Sequence, residues 1–167
     1  MNKFVLSVYV DNKSGVLTRV SSMFTRRGFN IDTLTVGETE HSEYSRITIS
    51  MTGDDCTQAQ IISQLRKLFN VKKVELLQKE NSIRRELMLI KIQNRQATRQ
   101  DVLAVVDIFR AKIIDFSPDA LCIETTGEPS KIDAFIEILK PFGIIEMCRT
   151  GVTALERGSG SLLEKEQ

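Results

Sequence analysis

Strand-like and helix-like patterns alternate along this chain in an order that runs twice, and that repetition limits the folds open to it. From Phe4 to Val10, Leu6, Val8 and Val10 alternate with Ser7 and Tyr9, the period of a strand. Val16, Leu17, Val20, Met23 and Phe24 then fall on one helical face, and Gly28 suits the left-handed residue that ends a helix. Ile31, Leu34 and Val36 mark a second strand. The polar stretch GETEHSEY makes a hairpin loop, and Ile47, Ile49 and Met51 make a third strand. Asp55 and Gln58 have capping-box spacing ahead of Ile61, Ile62, Leu65, Leu68 and Phe69, a second helical face. Val71, Val74 and Leu76 close the series as a fourth strand.

The polar run QKENSIRRE, residues 78–86, reads as a linker, and the order then restarts. LMLIKI is strand. Thr98 and Asp101 repeat the capping-box spacing before Val102, Val105, Val106 and Phe109. Residues 112–116 and 121–125 form a hairpin across SPDA. Pro129 opens a helix whose apolar face is Ile132, Phe135, Ile136 and Leu139. Gly143 ends it, and 144–148 is a last strand. The small, polar residues from Gly158 onward predict a frayed tail.

The expected fold class is therefore α+β, two tandem ferredoxin-like βαββαβ units with helices on one face of each antiparallel sheet. The bounds are 1–77 for the first domain, 78–86 for the linker, 87–157 for the second domain and 158–167 for the tail. A unit of this size is marginal alone, and its second sheet face and its edges must find partners or stay polar. Both facts favour a homodimer built through the sheets.

Composition narrows the function. The chain of 167 residues carries a net charge of +1 with both signs spread along it, which argues against a nucleic-acid partner. It has no apolar run of about 18 residues, so no membrane span is expected. MNKFVLSVYVDN lacks the regions of a signal peptide, so the expected location is cytoplasmic. Cys56, Cys122 and Cys148 form no CxxC pair, and His41 is the sole histidine, so neither a disulfide framework nor a metal site is expected. GxSxG, GxxxxGK[ST] and GxGxxG are all missing, and no catalytic residue is assigned. Acylphosphatases share the βαββαβ order but need an arginine in the first strand-helix loop. Here that loop offers Asp11, Asn12, Lys13, Ser14 and Gly15.

That loop, VDNKSGVL, admits two readings. Ser14 is a good N-cap and Gly15 a permissive neighbour, which needs no ligand. The same geometry also makes an anion site, because the free amides of Gly15, Val16 and Leu17 at a helix start attract a carboxylate. Asn12 supplies a donor and an acceptor, enough to read both ends of an amino acid. Asn30, beside Ile31, is either a turn residue or a second polar contact.

DNKSGVLTRVSSMFTRRGFNIDTLTVG resembles the N-terminal ACT domain of the small regulatory subunit of acetohydroxyacid (acetolactate) synthase. The family pattern, N-x-x-G-x-L followed after a helix by R-R/Q-G-(F/Y)-N-I-(D/E)-(S/T)-L-T-V, is met at Asn12, Gly15, Leu17 and Arg27–Val36 without departure. SRITI, IFRAKIIDFSPD and KIDAFIEILKPFGIIEMCRTG extend the resemblance over nearly all of residues 3–157. It implies that residues 1–77 are an ACT domain. It implies a homodimer that binds valine between its ACT domains, with leucine or isoleucine as possible substitutes. Asn12, Ser14, Gly15, Val16 and Leu17 would line one side, and Asn30 and Ile31 of a second copy the other. It implies a catalytic large subunit as partner, which this chain activates and makes sensitive to valine. Thiamine diphosphate, Mg and FAD would belong to that partner, with no cofactor in this chain. The alternative is a free-standing ACT-type amino-acid sensor acting on another enzyme.

Overall fold

The structure, a computed structural model, describes residues 2–161. These residues divide into two compact units: 2–83 with 152–161, and 84–151.

In the first unit, β1 (Asn2–Asp11) leads to α1 (Val16–Arg26), β2 (Thr33–Glu38), β3 (Tyr44–Gly53), α2 (Asp55–Leu65) and β4 (Val71–Leu77). The sheet is antiparallel in the order β2-β3-β1-β4, so β1 and β3 are central. Register sets Leu6 opposite Ile49 and Val8 opposite both Ile47 and Val74. These residues meet Val16, Val20, Met23 and Phe24 of α1 and Ile61 and Leu65 of α2 in one core, as the alternating and helical periods predict. Two local expectations shift. The cap of α2 is Asp54, whose carboxylate accepts the Thr57 amide at 2.8 Å, one residue before the expected Asp55. Phe69 lies beyond the end of α2 and is 86% exposed, with the Lys72 ammonium over its ring.

The second unit uses β5 (Ser82–Gln93), α3 (Arg99–Ile108), β6 (Lys112–Phe116), β7 (Ala120–Gly127), α4 (Pro129–Leu139) and β8 (Ile144–Arg149). Its strands follow the order β6-β7-β5-β8. Met88, Ile90, Ile92, Leu121 and Ile123 face α3 and α4, and Phe109 tilts against Phe135. Glu86, almost fully buried, accepts from Arg149 Nε and Nη2 at 2.7 and 2.9 Å, while Arg149 Nη1 reaches Asp133 at 2.9 Å. These carboxylates, Glu86 foremost, raise the guanidinium pKa further.

The linker and the second boundary differ from the sequence reading. Residues 82–86 are strand, because β5 begins at Ser82, so only 78–81 connect. Residues 152–157, expected in the second domain, belong to the first unit and include β9 (Thr153–Glu156). Val152 and Ala154 pack on Val5 and Leu77, the face of the first sheet turned away from its helices. Thr35 donates to the Val152 carbonyl at 3.0 Å, and Arg46 Nη1 to the Ala154 carbonyl at 3.4 Å. The part of the sheet's outer face around Val5 and Leu77 is thus covered by the chain's own strap. Of the tail expected to fray, 158–161 are described and 162–167 lie outside the described residues.

Candidate functional site

The end of β1 and the start of α1 carry most of the candidate residues. Gly15, not Ser14, caps the helix, with φ +81°, and no side chain closes the cap. Only glycine adopts that left-handed conformation freely. Space is not the constraint, since a Cβ on Gly15 would meet nothing within 4 Å. The turn before it is tight: Lys13 N–H donates to the Asp11 carbonyl at 3.0 Å, and Val16 N–H to the Lys13 carbonyl at 3.3 Å. The Val16 amide is therefore engaged and its side chain buried. Gly15 and Leu17 keep amides that have no intrahelical acceptor. Ser14 is exposed, and Leu17 is 44% exposed, an apolar side chain facing out beside those amides.

Asn12 has a structural role that sequence alone did not reveal. Its backbone N–H donates to the Glu43 carbonyl at 2.8 Å and its side-chain amide to the Ser42 carbonyl at 2.9 Å. It so ties the helix start to the β2–β3 loop and keeps its side-chain oxygen as an acceptor. The base of the loop is fixed by Asp11. Asn70 Nδ2 donates to Asp11 Oδ2 at 3.0 Å, Lys72 lies 3.1 Å from Oδ1, and Arg19 holds Asn70 Oδ1 at 3.1 Å. The Asn70 hydrogen bond, with help from Lys72 and against the effect of burial, holds the Asp11 carboxyl below its ordinary range. The negative charge of Asp11 is thereby occupied rather than presented to an anion.

Asn30 and Ile31 lie elsewhere. They follow the C-terminal end of α1, and a helix of 11 residues separates them from Gly15 by about 16 Å. Asn30 donates to Asp32 at 3.4 Å, and Ile31 packs partly on the first core. One protomer does not bring Asn30 and Ile31 to the loop. Among the described residues no cluster of three or more His, Cys, Asp or Glu could hold a metal, and no helix is long and apolar enough to cross a membrane.

Two units of βαββαβ order, the first with a glycine-turned helix start, make this a tandem ferredoxin-like α+β protein. The comparisons resolve it further. Residues 6–73 match the family model "AHAS small subunit-like ACT domain", and residues 85–158 match "Small subunit of acetolactate synthase". The probable acetolactate synthase small subunit of Methanothermobacter thermautotrophicus is 46% identical over 159 residues, 95% of each chain. That of Mycolicibacterium smegmatis is 47% identical over 92% of this chain and 90% of its own. The crystal structure of the acetolactate synthase small subunit from Thermotoga maritima has a TM-score of 0.88 at 41% identity, over 96% of this chain and all of that one. This chain belongs to the acetolactate synthase small-subunit family. Membership implies a regulatory role and a catalytic large subunit as partner.

Proposed function

We propose that this chain is the non-catalytic regulatory subunit of a thiamine-diphosphate-dependent acetolactate synthase. In this reading it activates the catalytic subunit and makes it subject to feedback inhibition by valine. Two copies associate through their ACT units, and valine binds between them. The observation that carries the reading is the Gly15 turn. It leaves the amides of Gly15 and Leu17 at a positive helix end, next to the outward Leu17 side chain and the free Asn12 oxygen. The amides suit a carboxylate, the oxygen an ammonium, and Leu17 an isopropyl group.

The distance from Gly15 to Asn30 and Ile31 supports a site shared between copies, since α1 holds the two halves apart within one chain. Burying a valine side chain there is worth about 1.5–3 kcal/mol. One methylene changes binding by about 1–3 kcal/mol, so leucine and isoleucine compete unless the pocket is closely fitted. A ligand that spans two chains binds one arrangement of the dimer better than another, and that differential affinity is what allostery requires. Thiamine diphosphate, Mg and FAD reside in the catalytic partner, and the assembly is cytoplasmic.

The test is to mix this protein with the purified catalytic subunit and follow acetolactate formation from pyruvate with and without valine. A rise in rate on mixing that valine suppresses supports the reading. A rate indifferent to both additions overturns it.

A further inference from the structure

The charges that look dispersed along the sequence are not dispersed on the first unit. Between Asn12 and Ile31 the charged residues are Lys13, Arg19, Arg26 and Arg27, with no Asp or Glu. In α2 and the turn after it, the acids Asp54 and Asp55 stand at the first turn and Arg66 and Lys67 at the other end. Folding brings those two basic ends together. Arg27 Nη2 donates to Gln64 Oε1 at 2.8 Å, joining the end of α1 to the end of α2. A cavity of about 390 Å³ opens there, lined by Met23, Arg26, Arg27, Gln64, Lys67 and Leu68.

Among the described residues, Arg26, Arg27, Arg66 and Lys67 have no carboxylate within ion-pair distance. A helix C-terminus favours a cation, so each helix accounts for its own. It does not account for both ends lining one groove, where like charges face each other without an anion between them. Solvent and salt keep that repulsion small in the free chain, and an anionic partner would remove it.

We propose that this groove is the docking surface for an acidic segment of the catalytic large subunit. The proposal rests on the regulatory reading above. Its cations steer and orient the segment, and Met23 and Leu68 give an apolar floor for a side chain between the charged ones. A protein segment fits better than a nucleic acid. The groove offers no aromatic ring for bases to stack on, and the chain as a whole carries only +1.

The experiment titrates the full-length protein into the labelled holo catalytic subunit at low and at physiological salt. It compares the unchanged chain with R27E/K67E, with the neutral pair R27Q/K67Q, and with K112E on the second unit. The proposal expects tight, salt-sensitive binding by the unchanged chain and by K112E. It expects binding at least about tenfold weaker for the reversal, with a flatter salt dependence, and an intermediate loss for the neutral pair. The neutral pair decides the matter if the reversal alters the circular dichroism. Equal affinity for the unchanged chain and the neutral pair overturns the docking surface and leaves the regulatory reading standing. Absence of binding by the unchanged chain overturns both. A parallel titration with a short DNA duplex also overturns the proposal if the duplex, and not the catalytic subunit, loses affinity in these variants.

Discussion

Asn70 and Asp11, far apart in sequence, meet twice: the Asn70 side-chain amide donates to Asp11 Oδ2 at 3.0 Å, and the Asp11 backbone amide donates to the Asn70 carbonyl at 2.9 Å. The pair anchors the loop that begins at Asn12. Because the folded state lowers the Asp11 pKa, its contribution to stability is present above the ordinary aspartate pKa. That contribution fades as pH falls through the lower folded value. Asn70→Ala is expected to destabilise the first unit by about 1.5–3 kcal/mol near neutral pH, the worth of a hydrogen bond to a charged group. The difference from the unchanged protein shrinks toward acid. Urea unfolding at a series of pH values checks this, and a constant difference down to strongly acid pH contradicts it.

At Gly15 strain and charge are separable. Gly15→Ala keeps an uncharged side chain at φ +81° and is expected to lose about 1–2 kcal/mol of stability while retaining a valine response. Gly15→Asp carries similar strain and adds a carboxylate against the ligand's own. It is expected to abolish valine inhibition while activation of the catalytic subunit survives. Rates of the mixed enzyme against valine concentration decide between them. Equal responses in the two variants place the valine carboxylate elsewhere.

Asn12 is expected to divide its effects between binding and the β2–β3 loop. Its bond to Ser42 is exposed, so Asn12→Ala changes global stability by less than about 1 kcal/mol. At the proposed valine site the same change is expected to weaken valine binding by about 1–3 kcal/mol. Calorimetric titration of valine beside thermal unfolding reads the two effects separately. A stability loss larger than the binding loss assigns Asn12 to the loop alone.

What the sequence disclosed follows from range. The alternation of Leu6, Val8 and Val10 and the helical face of Val20, Met23 and Phe24 are local periods, and both reach the core as expected. The cap was misplaced by one residue because Ser14 and Gly15 are both common at helix starts, and the positive φ that selects Gly15 belongs to the folded backbone. Phe69 kept the helical period in sequence, but α2 stops at Leu65, before that period runs out. The Asp11 anchor and the strap join residues 59 and 117 positions apart, as in Asn70 to Asp11 and Thr35 to Val152. Nothing in TALE distinguishes a strap from any short strand. The grouping of cations at the ends of α1 and α2 was hidden for the same reason, since each helix taken alone shows only basic residues suited to its dipole.

Arg149, at the end of β8, joins Glu86 of β5 to Asp133 of α4. Glu86→Ala leaves Arg149 its contact to Asp133, so the expected cost is about 3 kcal/mol, the lower end for breaking a buried pair. Arg149→Ala leaves the Glu86 carboxylate buried and unpaired and is expected to cost more, up to about 5 kcal/mol. A double-mutant cycle by chemical denaturation measures the coupling, and additive losses would show that the two side chains do not act together.

The strap makes the last test. Val152 and Ala154 are nearly fully buried against Val5 and Leu77, and Thr33 and Thr35 bind the Val152 backbone on both sides. Val152→Ala removes two methyl groups from this cluster and is expected to cost about 1–2 kcal/mol. Ala154→Asp places a carboxylate where only apolar side chains meet it, at a cost of about 3 kcal/mol. If that carboxylate expels the strap, the β9 amides lose hydrogen-exchange protection and the uncovered sheet face, with Val5 and Leu77, drives self-association at high protein concentration. Unchanged exchange in β9 with an unchanged oligomeric state would mean that the strap stays in place or is not what covers this face.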